Sequence, residues 1–154
     1  MIGIILYSKT GETRKIAMRL KEKLDCPLHE IIPESYDPKI IKPVLIESPE
    51  IGAFDTVILG SPVHGFQVAK VMREYLLQKD FTGKTVDLMI THYFPFKWLG
   101  GSQALKEMKR LVEQKGGTIR HQTSINWSSK KRETSVLEML DLYSWWRKPI
   151  FLSL

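Results

Sequence analysis

A doubly wound, three-layer α/β sandwich around a five-stranded parallel sheet is the fold this sequence predicts. Three observations carry the prediction. Short continuous apolar runs recur at strand length: Ile2–Tyr7, Leu28–Ile32, Thr56–Leu59, Thr85–Thr91 and Thr118–Ile125. Such runs suit parallel strands covered on both faces. Segments with apolar residues at helical spacing alternate with them, and glycines and hydroxyl residues mark several of the places where strand gives way to helix.

Taken in order, the run Ile2–Tyr7 leads into a helix over Glu12–Leu24, whose inward stripe is Ile16, Ala17, Leu20 and Leu24. After Leu28–Ile32, the stretch 33–52 is broken by Pro33, Pro38, Pro43 and Pro49. It is therefore expected to hold a short helix around Pro38–Ile41 and an irregular link rather than a long helix. Val68–Leu77 repeats Val68, Val71, Met72, Tyr75 and Leu76, and Gln103–Lys115 repeats Leu105, Met108, Leu111 and Val112 before the stop Gly116-Gly117. Glu133–Trp145 is the last predicted helix, and the apolar tail 149–154 is expected to pack on the domain or against another subunit.

The 154 residues suffice for one domain, read here as 1–154. No basic, apolar leader is evident, and no apolar stretch reaches the roughly 20 residues of a membrane span, so a cytoplasmic location is expected. Cys26 is the single cysteine, which excludes an internal disulfide and a cysteine-based metal cluster. His29, His64, His92 and His121 have no metal-ligand spacing, and no metal is expected. The net charge of +6 admits nucleic acid, a membrane surface or an acidic partner. With basic residues spread along the helices, and without an RNP-type motif or zinc-finger spacing, nucleic acid is disfavoured. An ordinary solvated surface, open to an acidic redox partner, fits better.

In doubly wound sheets, ligands bind outside the carboxyl ends of the strands. The loop after the first strand, Tyr7-Ser8-Lys9-Thr10-Gly11-Glu12-Thr13, offers hydroxyls at Ser8, Thr10 and Thr13, with Gly11 permitting close backbone approach. It aims the positive end of a helix at one place, as a phosphate requires. It lacks the lysine of a Walker-type loop, and neither a Gly-x-Gly-x-x-Gly nor a Gly-x-Ser-x-Gly motif occurs. A nucleoside triphosphate, a dedicated dinucleotide site and an α/β-hydrolase are disfavoured accordingly. The loop Gly60-Ser61-Pro62-Val63-His64-Gly65-Phe66 follows the third run, its glycines read as permitting conformations closed to other residues. The fourth run ends at Thr91, and the segment His92-Tyr93-Phe94-Pro95-Phe96-Lys97-Trp98-Leu99-Gly100-Gly101 after it is rich in aromatics that are costly to leave in water.

On Tyr-Ser-x-Thr-Gly-x-Thr, the Gly-Ser-Pro core of the second loop and the aromatic, Gly-Gly third loop, the chain resembles the flavodoxin-like superfamily. The resemblance implies the strand order 2-1-3-4-5 and FMN as cofactor. It implies that Ser8, Lys9, Thr10, Gly11, Glu12 and Thr13 hold the phosphate. Ser61, Pro62, Val63, His64, Gly65 and Phe66 would lie along the ring, with a peptide near His64-Gly65 able to reorient toward the flavin. Thr91, His92, Tyr93, Phe94, Trp98, Gly100 and Gly101 would cover the other side, Tyr93 or Trp98 by stacking. The implied activity is electron transfer to a redox partner protein or small acceptor. An NAD(P)H-dependent quinone or FMN reductase of the same fold is the alternative, and a flavin-free regulatory or interaction domain is an alternative of another class. A homodimer is also admitted. The chain departs from flavodoxins proper in its basic charge and its proline-broken second crossover. With no Asp or Glu in the two ring loops, the reduced flavin is expected at a less negative potential than in an acidic flavodoxin.

Overall fold

The computed structural model describes residues 1–94 and 101–144. In chain order these form β1 (Ile2–Leu6), α1 (Glu12–Leu24), β2 (Leu28–Glu30), β3 (Ile32–Pro33), β4 (Leu45–Glu47) and β5 (Thr56–His64). There follow β6 (Gln67–Val68), α2 (Lys70–Gln78), β7 (Thr85–His92), α3 (Gly101–Gln114), β8 (Thr118–Asn126) and α4 (Arg132–Ser144). Lys97, Trp98, Gly100, Trp145 and the tail 149–154, all singled out from the sequence, lie outside the described residues.

The parallel strands stand in the order β2-β1-β5-β7-β8. Numbered by themselves along the chain, they read 2-1-3-4-5, as the sequence implied. Strand β1 is the hinge of this order: Ile4 pairs with Leu28 on one side and Ile58 on the other. With neighbours on both edges and helices on both faces, every residue of β1 is buried, which is why its run is apolar without alternation.

Helices α1 and α4 cover one face, placing Ile16, Leu20, Met139 and Tyr143 over Ile4 and Ile58. Helices α2 and α3 cover the other, placing Met72, Leu76, Leu105 and Met108 over Leu59 and Leu88. Helix α1 has the bounds its periodicity predicts. It ends at Asp25, whose left-handed backbone (φ 49°) caps it through an N–H bond to the Lys21 carbonyl. No helix among the described residues is long and apolar enough to cross a membrane.

Two local expectations are corrected. The stretch around Pro38–Ile41 is no helix: Ile40 N–H closes a single turn on the Asp37 carbonyl, and β3 and β4 form an antiparallel ribbon on either side. The prolines that forbid a helix permit this, since a turn and a short ribbon need few amide donors. The expected loop Gly60–His64 is strand. Beyond Gly60, β5 has lost β1 as a neighbour but continues beside β7, Pro62 opposite Thr91. A proline is tolerated where β1 has ended and the returning chain asks only for its carbonyl, which accepts the Ala69 amide at 3.3 Å. The chain then turns at Gly65 and Phe66, both at positive φ (57° and 65°), into β6, with His64 paired to Gln67. Two central residues at positive φ form the mirror-image turn that suits strand twist.

One buried charge lies in the sheet itself. Asp87 on β7 is fully buried at a register shift against β8. Its carboxylate accepts from Arg120 Nε (3.1 Å) and the second guanidinium nitrogen (2.6 Å), and from His121 N–H (3.1 Å). The carboxylate satisfies an amide that the irregular ladder leaves over.

Candidate functional site

At the carboxyl edge of the sheet, β1 passes into α1 through residues 7–11. Gly11 is the N-cap of α1 at φ 100°, a backbone conformation a side chain would strain, and no side chain caps the helix. The first backbone bond of the helix runs from Lys15 N–H to the Gly11 carbonyl. Among the described residues, the amides of Glu12, Thr13 and Arg14 therefore have no acceptor, and they converge at the positive end of the helix. Ser8, buried, accepts the Gly11 amide at 3.1 Å and so holds the loop in shape. Its hydroxyl proton is left to donate elsewhere.

The other two hydroxyls differ in their settings. Thr13 is only 1 % exposed, and its Oγ1 lies 2.9 Å from the Thr91 hydroxyl. This bond joins the start of α1 to the end of β7, 78 residues away. Thr10 is exposed and donates to a Glu12 carboxylate oxygen. Lys9, also exposed, is a cation at the loop's tip. Arg14 is engaged by Glu30 on β2, one guanidinium nitrogen at 3.3 Å, and is thereby held beside the loop.

Gly60 contributes for a different reason from the one the sequence suggested. Its φ is ordinary; a Cβ there would meet Met89 Cε at 2.8 Å and Thr13 Cγ2 at 3.3 Å. Glycine is required so that Thr13 and Met89 can close over the strand, which keeps the loop seated on β5.

Beside this loop stands the β5–β6 hairpin. Ser61 is buried and its hydroxyl donates to the Pro62 carbonyl at 3.0 Å; Pro62 and Val63 are half-buried. His64 sets its ring edge-on to Tyr7, centroids 6.1 Å apart. Burial, and secondarily the charge of Lys9, hold its pKa below the ordinary 6.5, so the imidazole is neutral at pH 7. Phe66, at the hairpin tip, stacks on Phe94 with centroids 4.5 Å apart. The second and third loops thus meet through their aromatic faces.

In the third loop, His92 is buried and its Nδ1 lies 2.9 Å from the Phe94 carbonyl oxygen. Tyr93 is exposed, and its hydroxyl donates to Glu12 at 2.7 Å, which raises the phenol's pKa. Gly101 is buried at the start of α3. Trp98 and Gly100 lie outside the described residues, so of the two stacking candidates the structure places Tyr93 alone, turned toward Glu12.

Sequence reasoning missed a fourth segment, the turn between β8 and α4. Trp127 N–H donates to the His92 carbonyl at 2.7 Å, and the Ser128 hydroxyl donates to the Tyr93 carbonyl at 2.8 Å. Asn126 Oδ1 accepts the Ser128 amide at 3.0 Å and fixes that turn. The cations of Arg132 and Lys15 lie 4.4 and 6.0 Å from the Trp127 ring. Only the Asn-x-Ser order hinted at a turn here. The site also holds a carboxylate that the acid-free ring loops concealed, since Glu12 reaches Tyr93 from the first loop.

Neither a protein-family model nor a curated protein matches this chain. Solved structures do. A flavoprotein candidate from Bacteroides uniformis ATCC 8492 is 22% identical, with a TM-score of 0.70 over 90% of this chain and 96% of that one. A flavoprotein in complex with FMN from Lactobacillus acidophilus NCFM is 15% identical, with a TM-score of 0.65 over 89% and 96%. Oxidised Flavodoxin 2 from Bacillus cereus is 17% identical, with a TM-score of 0.66 over 94% and 98%. Identities this low speak to architecture rather than chemistry, and the architecture agrees with the strand order and crossovers described above: the chain has the flavodoxin-like fold.

Proposed function

We propose that the protein binds FMN and transfers electrons. The observation that carries this reading is the meeting, at one sheet edge, of the Ser8 hydroxyl with three amides at the α1 N-terminus that have no acceptor among the described residues, on a turn braced by the Thr13–Thr91 bond. The chemistry of this donor set fits a phosphate monoester. It supplies amide and hydroxyl donors with a nearby cation, Lys9, that makes no ion pair among the described residues, and no metal is needed. The solved FMN complex of similar fold supports the same reading.

When bound, FMN supplies one- and two-electron redox chemistry, and the chain's residues bind, orient and shield it. Ser8, Thr10 and the amides of 12–14 would hold the phosphate, with Thr13 braced by Thr91. The hairpin residues Ser61–Phe66 and the segment Thr91–Phe94 would flank the ring, offering Phe66, Phe94 and Tyr93 as aromatic surfaces. His64, neutral at pH 7, adds no charge beside it. Gly65 at the turn is where the backbone can reorient at least cost. The basic surface, net +6, suits an acidic redox partner in the cytoplasm.

The test is the absorbance spectrum of the protein after loading with FMN and removal of the excess. Retained flavin bands support the reading, and a colourless protein refutes it. Steady-state NAD(P)H oxidation with a quinone acceptor then separates a carrier, which gives none, from a reductase.

A further inference from the structure

The proline-broken crossover borders a cleft beside Tyr7, at the end of β1. It has a volume of about 310 Å³, at the small end for ligand pockets. On one side lies the turn Asp37–Ile40, on the other the hairpin at His64–Gln67 and the start of α2. The turn is fastened in place: Lys70 Nζ donates to the Pro38 carbonyl at 3.0 Å, and Asp37 Oδ1 accepts the Lys39 amide at 2.9 Å. The one ammonium and one carboxylate at the cleft are therefore already engaged, and they balance each other. Nothing there selects an ion.

The rest of the lining is aromatic and apolar. Tyr7 is only 2 % exposed, and Tyr36 lies nearly parallel to it, centroids 6.1 Å apart and planes at 17°. Ile40, Pro43 and Val68 complete the apolar wall. The Tyr7 hydroxyl has no hydrogen-bond partner among the described residues, and neither has the His64 ring. The ring is buried while the cleft reaches the residue, so the hydroxyl is open to a ligand lying there. Burial, and then the neighbouring Tyr36, push the Tyr7 pKa up to about 12, so the group stays protonated and can donate throughout the physiological range.

We propose that this cleft is a second small-molecule site, which borders the flavin site at Tyr7 and His64 but contains none of its phosphate donors, and which takes a flat, uncharged aromatic compound bearing a carbonyl. The ring lies among Tyr36, His64 and Val68, and the carbonyl accepts the Tyr7 hydroxyl. An apolar wall with one convergent donor recognises that chemistry, and among the described residues lining the cleft the charges of Asp37 and Lys70 offset each other, which disfavours nucleotides and organic acids.

The test uses the full chain and the probe 2,3-dimethyl-1,4-naphthoquinone, whose blocked ring carbons cannot add to Cys26. Binding is followed by amide NMR shifts, with and without saturating FMN. Saturable binding is expected in both conditions, with shifts centred on Tyr36, His64 and Val68. Tyr7→Phe, which keeps the ring and removes the donor, should weaken it about three- to tenfold. Tyr36→Ala, a change at an exposed position, should weaken it further while leaving the fold intact. Absence of binding, indifference to both substitutions, or displacement of the probe by FMN would overturn the proposal. Displacement would assign the cleft to the flavin ring instead.

Discussion

Tyr93 donates its hydroxyl to the Glu12 carboxylate at 2.7 Å, joining residues 81 apart in sequence. The same carboxylate accepts the Thr10 hydroxyl. One acidic side chain therefore clasps the segment after β7 to the turn between β1 and α1, and stands at the helix end where we propose that the FMN phosphate binds. Glu12→Gln should tighten FMN binding about three- to tenfold at low salt, by removing a like charge from the phosphate's surroundings. It should also cost about 0.3–1 kcal/mol of stability, because a carboxylate in the first turn favours the helix. Flavin fluorescence titration and thermal melting measure the two effects. Weaker FMN binding in Glu12→Gln would show that the clasp matters more than the repulsion.

Thr13 is the residue through which fold and site are one. Thr13→Val keeps the shape and removes the hydroxyl that meets Thr91. Losing a buried hydrogen bond and leaving Thr91 unsatisfied should cost about 1–3 kcal/mol. FMN affinity should fall at least tenfold as the loop loosens. Urea unfolding and titration of the same variant separate the terms, and an unchanged FMN affinity would remove Thr13 from the site.

Asp87 supports the sheet and not the site. Asp87→Ala leaves Arg120 and the His121 amide without their acceptor, and loss of one partner of a buried pair costs about 3–5 kcal/mol. Arg120 is partly exposed, so the lower end is expected. Chemical denaturation should record that loss, while FMN affinity at a temperature where the variant is folded should stay within about twofold.

Acid should act through His64 before the carboxylates. Its folded pKa lies below 6.5, chiefly through burial, so between that value and 6.5 the unfolded chain binds more protons. Stability from this residue is fully present above pH 6.5 and is lost as pH falls through 6.5 toward the folded value. The lowered carboxylates Asp55 and Glu133 act only in a more acid window. Melting temperatures from pH 7.5 to 5.5 should fall in wild type and stay flatter in His64→Gln; parallel curves would contradict the assignment.

These residues also mark what was legible in the sequence. Helix α1 was readable because Ile16, Ala17, Leu20 and Leu24 repeat at helical spacing, and the strand–turn–helix passage at 7–13 because its hydroxyls cluster around Gly11 within a few residues. The extension of β5 through Pro62 was not, since Gly60, Pro62 and Gly65 are local turn signals and only the neighbour β7 makes them strand. The ribbon of β3 and β4 has two and three residues to a strand, too short for a period to register. Contacts such as Tyr93–Glu12, Thr13–Thr91 and Asp87–Arg120 span 33 to 81 residues and leave no local trace.

The central claim is that the loop 8–13 holds a phosphate. The most direct measurement is a paired titration of the flavin-free protein with FMN and with riboflavin, which differ by that phosphate alone. The donors of this loop predict FMN binding at least about 100-fold tighter, given the strength of hydrogen bonds to a charged acceptor. Equal affinities, or no binding of either, would contradict it.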